Sequence, residues 1–215
     1  MKIEYCGHSC FKVTDGDLSI LFDPFADIGY NLKTITADYC VCSHKHFDHF
    51  GVQAVNCKAV ITSENAAEYP FLKAIDSFHD ECKGKKRGEN TIFIFTAADG
   101  TTFCHMGDIG EPIADFIKSH ALTADILAIP VGGNYTIDSI EAVLYCEYIK
   151  PKLIIPMHYK TARSNIDIDK KASFLSRMPV GKTVKTDNSL TVNFSDLEKG
   201  GKFYGKIIDF NDNNF

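Results

Sequence analysis

Apolar positions along the chain fall into short runs separated by turn residues, and the first of them make a strand meander. Runs over 10–14 and 18–23 flank Asp15-Gly16-Asp17, a strong signal for a hairpin, and residues 1–5 read as a further strand. The same arrangement recurs at 91–96 and 102–106 around Asp99-Gly100, and short apolar runs also cover 39–43, 58–62, 125–131 and 152–156. Several are apolar at every position, as strands covered on both faces are. Helices are fewer and lie between the strands. Pro112 suits a first helical position, with Ile113, Phe116 and Ile117 on one face. Asp138 and Glu141 make a capping-box start for a helix carrying Ile140, Val143 and Leu144. A third helix is expected over 167–176, and a shorter one from Ser63. A meander followed by strands alternating with helices gives an α/β or α+β fold, with two sheets face to face and helices outside.

Composition narrows the function classes. A chain of 215 residues with 45% hydrophobic and 24% charged positions suits a single globular domain spanning 1–215, and no linker or repeat divides it. A net charge of -5 and a pI near 5.9 provide no general field for nucleic acid or an anionic membrane, so neither is expected as a partner. The basic stretch 83–87, interrupted by Gly84, reads as a solvated loop. No apolar run approaches the ~20 residues of a membrane span, and the first residues lack the apolar region of a signal peptide. The expected compartment is therefore the cytoplasm. There the eight cysteines, none in a Cys-x-x-Cys pair, would stay reduced and behave mostly as small buried hydrophobes.

The chemistry concentrates in His44-Lys45-His46-Phe47-Asp48-His49, directly after the apolar run ending at Ser43. Imidazole and carboxylate together suit zinc, manganese or iron. In an extended loop His44 and His46 point the same way, while Asp48 and His49 can turn toward a neighbouring position. One loop can therefore serve two adjacent metals.

His-x-His-x-Asp-His after a buried strand resembles the signature of the metallo-β-lactamase superfamily, and most of the chain can be read in that frame. The resemblance implies a four-layer αββα sandwich with two divalent cations at one edge between the sheets, zinc first, manganese or iron as alternatives. It implies further ligands at later strand ends: His79 in Ser77-Phe78-His79-Asp80, Asp108 in His105-Met106-Gly107-Asp108, and His158 in Ile155-Pro156-Met157-His158. One metal would take His44, His46 and His79, the other Asp48, His49 and His158, with Asp108 bridging. Asp23 would support the histidine loop by hydrogen bonding, since ligating histidines need a partner that fixes their tautomer. His105 alternates away from Asp108 along its strand, so it is read as a supporting or core-edge residue and not a ligand. His8 in Gly7-His8-Ser9, the stretch 87–93 and the stretch 132–138 resemble a compact branch that includes ascorbate-6-phosphate lactonases. That likeness puts His8, Asn134 and Tyr135 among the substrate-lining residues.

The implied activity is hydrolysis of a small ester, lactone or amide by a hydroxide bridging the metals, with Asp48 and His158 assisting. Lys45, Lys160 and Arg163 near the metal loop would form a subsite for an anionic group on the substrate. Alternatives are an iron-dependent redox enzyme resembling sulfur dioxygenases, and a phosphodiesterase or nuclease. The acidic charge opposes a nuclease, and flavodiiron-type reductases carry a glutamate where His46 stands.

Overall fold

The computed structural model describes residues 1–212, so the last positions of the expected 1–215 span lie outside the described residues. The chain opens with the expected meander of β1 (Lys2–Gly7), β2 (Cys10–Asp15) and β3 (Leu18–Phe22). Asp15 faces Leu18 across the Asp15-Gly16-Asp17 turn. β4 (Ile35–Thr36) pairs with β6 (Val55–Asn56) as a small ribbon, while β5 (Tyr39–Val41) and β7 (Ala59–Ile61) extend the first sheet in parallel.

The second sheet grows from β8 (Leu72–Phe78), β9 (Glu89–Thr96) and β10 (Thr102–His105), then β11 (Ile126–Pro130) and β12 (Leu153–Met157) after helices α1 (Ile113–Ser119) and α2 (Ser139–Ile149). Beyond α3 (Ala172–Leu175) come β13 (Thr183–Thr186), β14 (Ser189–Thr191), α4 (Phe194–Leu197) and β15 (Lys206–Phe210). The sheet orders are β14-β1-β2-β3-β5-β7 and β13-β15-β12-β11-β10-β9-β8. Consecutive strands from β10 through β11 and β12 to β15 run parallel, which brings their carboxyl ends to one edge.

The sheets meet through their alternating inward faces. Phe11 and Phe22 of the first sheet pack on Phe103 of the second, with ring centroids 6.1 and 5.4 Å apart. α2 buries Ala142, Tyr145, Cys146 and Ile149 in the same core. The outer face of the first sheet is covered differently, by a separate apolar cluster of Cys10, Leu21, Phe25, Ile28, Ala37, Ile166 and Ile168 contributed largely by loops. The eight cysteines are free, and Cys10, Cys40, Cys42, Cys104 and Cys146 are buried. No described helix is long and apolar enough to cross a membrane.

Three expectations need correction. On α2, Ile140 and Leu144 are exposed while Val143 packs against the core. The helix is apolar on nearly every side, so periodicity could not select the buried stripe. Asp138 does cap α2 by accepting from the amides of Ile140 and Glu141, but the Glu141 carboxylate accepts from the Ile113 amide instead of closing a box. The helix expected over 167–176 shrinks to α3, and that expected from Ser63 to a 3₁₀ turn at Ala66–Glu68. Ile166 and Ile168 are buried while Asn165, Asp167 and Asp169 are exposed, a strand-like alternation that opposes helix.

Candidate metal centre

Each candidate residue stands just beyond the carboxyl end of a strand: His8 after β1, Asp23 after β3, the 43–49 loop after β5, His79 after β8, Asp108 after β10 and His158 after β12. Asp23 organises the histidine loop. One carboxylate oxygen accepts from the Ser43 amide at 2.7 Å, the other from the Ser43 hydroxyl at 2.6 Å and from His49 Nδ1 at 2.7 Å. With its hydrogen committed to Asp23, Ser43 Oγ accepts from His44 Nδ1 at 2.9 Å. His79 Nδ1 donates to the Tyr135 carbonyl at 3.1 Å. These bonds leave the Nε2 lone pairs of His44, His49 and His79 free for a cation.

Those lone pairs converge. Donor atoms of His44, His46 and His79 lie within 4.8 Å of one another, and so do those of His8, Asp48, His49 and His158. Asp108 stands between the groups, Oδ2 being 3.2 Å from His79 Nε2 and 3.1 Å from His158 Nε2, and Oδ1 3.0 Å from His49 Nε2. Two donors each about 2.1 Å from one ion are separated by about 3.0–3.4 Å at angles of 90–110°. His44 Nε2, His49 Nε2, His158 Nε2 and Asp108 Oδ1 are buried without a hydrogen-bond partner among the described residues. Orphaned acceptors facing one another are costly unless a cation satisfies them, so the donor set fits metal ions.

Without a cation, the surrounding charges divide the donors into two classes. Burial pushes His44 down to about 3 and His8 down to about 4, the latter with help from His158, so both imidazoles are neutral. Burial works against ionisation of Asp108 and Asp48, but the surrounding histidines outweigh it and hold both below the usual carboxylate range. Burial likewise disfavours charged His49 and His158, yet Asp108 first and Asp48 after it lift both, His158 to about 9. A cation entering here competes with protons on those two rings.

A family model described as a β-lactamase superfamily domain matches residues 2–158, a span holding all of these donors. A UPF0173 metal-dependent hydrolase of Carboxydothermus hydrogenoformans is 31% identical over 193 residues, covering 75% of this chain and 85% of the relative. The corresponding protein of Natranaerobius thermophilus is 30% identical, covering 75% and 84%. This chain belongs to the metallo-β-lactamase superfamily, in its UPF0173 metal-dependent hydrolase family. Among solved structures, a candidate zinc-dependent hydrolase of the superfamily from Thermotoga maritima aligns with a TM-score of 0.71 at 28% identity, covering 97% of each chain.

Within this superfamily member, His105 stands outside the donor groups. It is fully buried, donates from Nε2 to the Ser9 carbonyl at 2.8 Å and accepts the Gly107 amide at Nδ1, and its ring stacks on Phe22. His79→Ala is therefore expected to weaken uptake of one metal equivalent. His105→Ala should instead lower stability by about 1–3 kcal/mol through the unsatisfied Ser9 carbonyl, with metal uptake kept. Metal titration alongside denaturant unfolding separates the two, and the reverse pattern would reassign the third histidine.

Sequence reasoning missed Asn90, which is buried on β9. Its Oδ1 accepts the Asp108 amide at 2.8 Å and its Nδ2 donates to the Met106 carbonyl. Gly107 makes this approach feasible: φ is +56° and an added Cβ would stand 2.2 Å from Asn90 Oδ1.

The metal centre opens into a cavity of about 800 Å³ lined by, among others, Lys45, Phe47, Arg87, Tyr135 and Ile166. Arg87, which ends the expected solvated loop and begins the 87–93 stretch, reaches it because Asp80 gathers the amides of Cys82, Gly84, Lys86 and Arg87 into a tight turn. Its guanidinium donates to the Asn134 carbonyl at 3.0 Å and lies over the Tyr135 ring. The expected cationic subsite needs revision. Lys160 Nζ donates to the Ile166 carbonyl at 2.7 Å, and neither Lys160 nor Arg163 lines the cavity. Tyr135 lines the cavity, whereas Asn134 braces two loops through its side-chain bond to the Asp167 carbonyl at 2.8 Å.

Proposed function

We propose that this protein hydrolyses a small ester, lactone or amide, with two divalent cations held by His44, His46 and His79 on one side, Asp48, His49 and His158 on the other, and Asp108 between them. The supporting observation is the pair of adjacent donor groups sharing Asp108 at the floor of an accessible cavity. Bound cations would lower the pKa of a water toward neutrality and polarise the scissile group. The chain's own residues do the rest. Asp48, ionised and only 12% exposed at its side chain, faces His8, His49 and His158 and is placed to orient an attacking water. Phe47, 61% exposed at the rim, offers an apolar contact for the substrate body. Zinc, manganese and iron all suit imidazole with carboxylate.

Lys45 and Arg87 at the cavity wall favour a carboxylate or phosphate on the substrate, although Lys45 also pairs with Glu64 at 2.8 Å. Protein purified without added metal should contain bound transition metal, lose turnover on chelation and regain it on reconstitution. A panel of neutral esters, anionic esters, lactones, amides and phosphodiesters identifies the bond. No turnover of any carbonyl substrate by protein carrying both cations would refute the reading. Arg87→Ala should raise KM for anionic esters about 10-fold or more, in line with one charge-assisted hydrogen bond. Lys160→Ala, whose ammonium is already committed to a carbonyl, should not discriminate charged from neutral substrates.

A further inference from the structure

His8 is 1% exposed, and neither ring nitrogen has a hydrogen-bond partner among the described residues. Its backbone is left-handed at φ 53°, an unusual conformation for a non-glycine residue. That conformation is held in place because the His8 carbonyl accepts from the Tyr5 hydroxyl and from the His158 amide, each at 3.2 Å. The fold thus spends local strain to bury an unsatisfied imidazole. The ring lies 4.3 Å from that of His158 and 5.3 Å from that of His49 between centroids. Nε2 is 3.4 Å from Asp48 Oδ2, which itself is 3.7 Å from His49 Nε2 and 3.8 Å from His158 Nε2. Donors about 2.1 Å from one ion are about 3.4 Å apart at 110° and about 3.8 Å apart at 130°, so each of the three nitrogens can share an ion with Asp48 Oδ2.

We propose that His8 is a further protein ligand of the second cation, giving that position three imidazoles and the carboxylates of Asp48 and Asp108. The inference rests on the two-metal reading above and deepens it. It makes the two positions chemically unequal. His44, His46 and His79 with Asp108 form a four-donor set that matches tetrahedral zinc. The second position presents five protein donors before any water or substrate arrives. Such a set favours ions content with five or six ligands, such as manganese, iron or cobalt, over a four-coordinate ion. It is also the more enclosed position, since His8, His49 and His158 are fully buried while His46 is exposed.

The test is cobalt(II) titration of the metal-depleted full chain, comparing wild type with His8→Asn. Asparagine tolerates the left-handed backbone but has a shorter side chain, and denaturant unfolding of the metal-free forms checks that both fold alike. In wild type the second equivalent should show the weak visible bands of five- or six-coordinate cobalt. In His8→Asn those bands should intensify toward a four-coordinate spectrum and the second equivalent should bind at least 10-fold more weakly, the first being unchanged. A crystal structure of the loaded wild type adds a readout independent of the variant: His8 Nε2 should lie about 2.1 Å from the second ion. Unchanged bands in the variant, with or without weaker binding, or an Nε2 well outside bonding distance, would overturn the ligand role of His8 alone. Failure of wild type to take a second equivalent would instead overturn the two-metal reading.

Discussion

Asp108→Ala is expected to lower kcat/KM by more than the ~10–100-fold that losing an outer hydrogen-bond partner costs a metal site. Asp108 is one of two carboxylates that approach the histidines of the second position, and its oxygens lie 3.0–3.2 Å from His49, His79 and His158, so both positions lose a donor at once. Metal analysis should show fewer than two equivalents retained after dialysis, and turnover should fall in step. The metal-free variant should also be less stable, because His49 and His158 lose the main anion that offsets their burial. A variant that keeps both equivalents and full turnover would remove Asp108 from the shared position.

Asp23→Ala should have the next largest effect even though Asp23 is not proposed to touch a metal. Its carboxylate is buried and accepts the Ser43 amide, the Ser43 hydroxyl and His49 Nδ1. Breaking a buried charged network of this kind costs about 3–5 kcal/mol. Releasing the His49 tautomer and the Ser43 relay to His44 should weaken metal binding about 10–100-fold. Denaturant unfolding of the metal-free chain and metal titration of the folded chain measure the two effects separately. Asp23→Asn keeps the shape and one acceptor, so it should fall between wild type and alanine on both scales. Full retention of affinity would show that the His49 hydrogen bond does not orient the ring.

The parts legible in the sequence were those carried by neighbouring residues. The 44–49 loop reads directly because its donors are consecutive, and the hairpins read because Asp15-Gly16-Asp17 and Asp99-Gly100 specify tight turns. His79, Asp108 and His158 are isolated in sequence and were found only through the superfamily resemblance. Strands β8 and β13 were not foreseen because they are sheet edges, and edges carry Lys73, Asp76 and Lys185 without needing apolar residues on both faces. Arg87 and Asn90 lie in the 87–93 stretch that resembles the lactonase-containing branch, but neither was assigned a role from sequence: the first depends on the Asp80 turn, the second on register across the sheet. For residues 164–169 the signal was present, since buried and exposed positions alternate, yet the expected helix was begun at Asp167.

The order of the donors along the chain also sets the order in which the donor groups can be completed during synthesis. The group His44, His46 and His79 is encoded by residue 79, but the second requires His158, whose amide is bonded to the carbonyl of His8 far earlier in the chain. At roughly 5–20 residues per second, ribosomes take on the order of 4–16 s to travel from one to the other. During that interval the second group lacks His158. A cation held by the second group would therefore report that the chain has been made as far as residue 158 and has closed on residue 8.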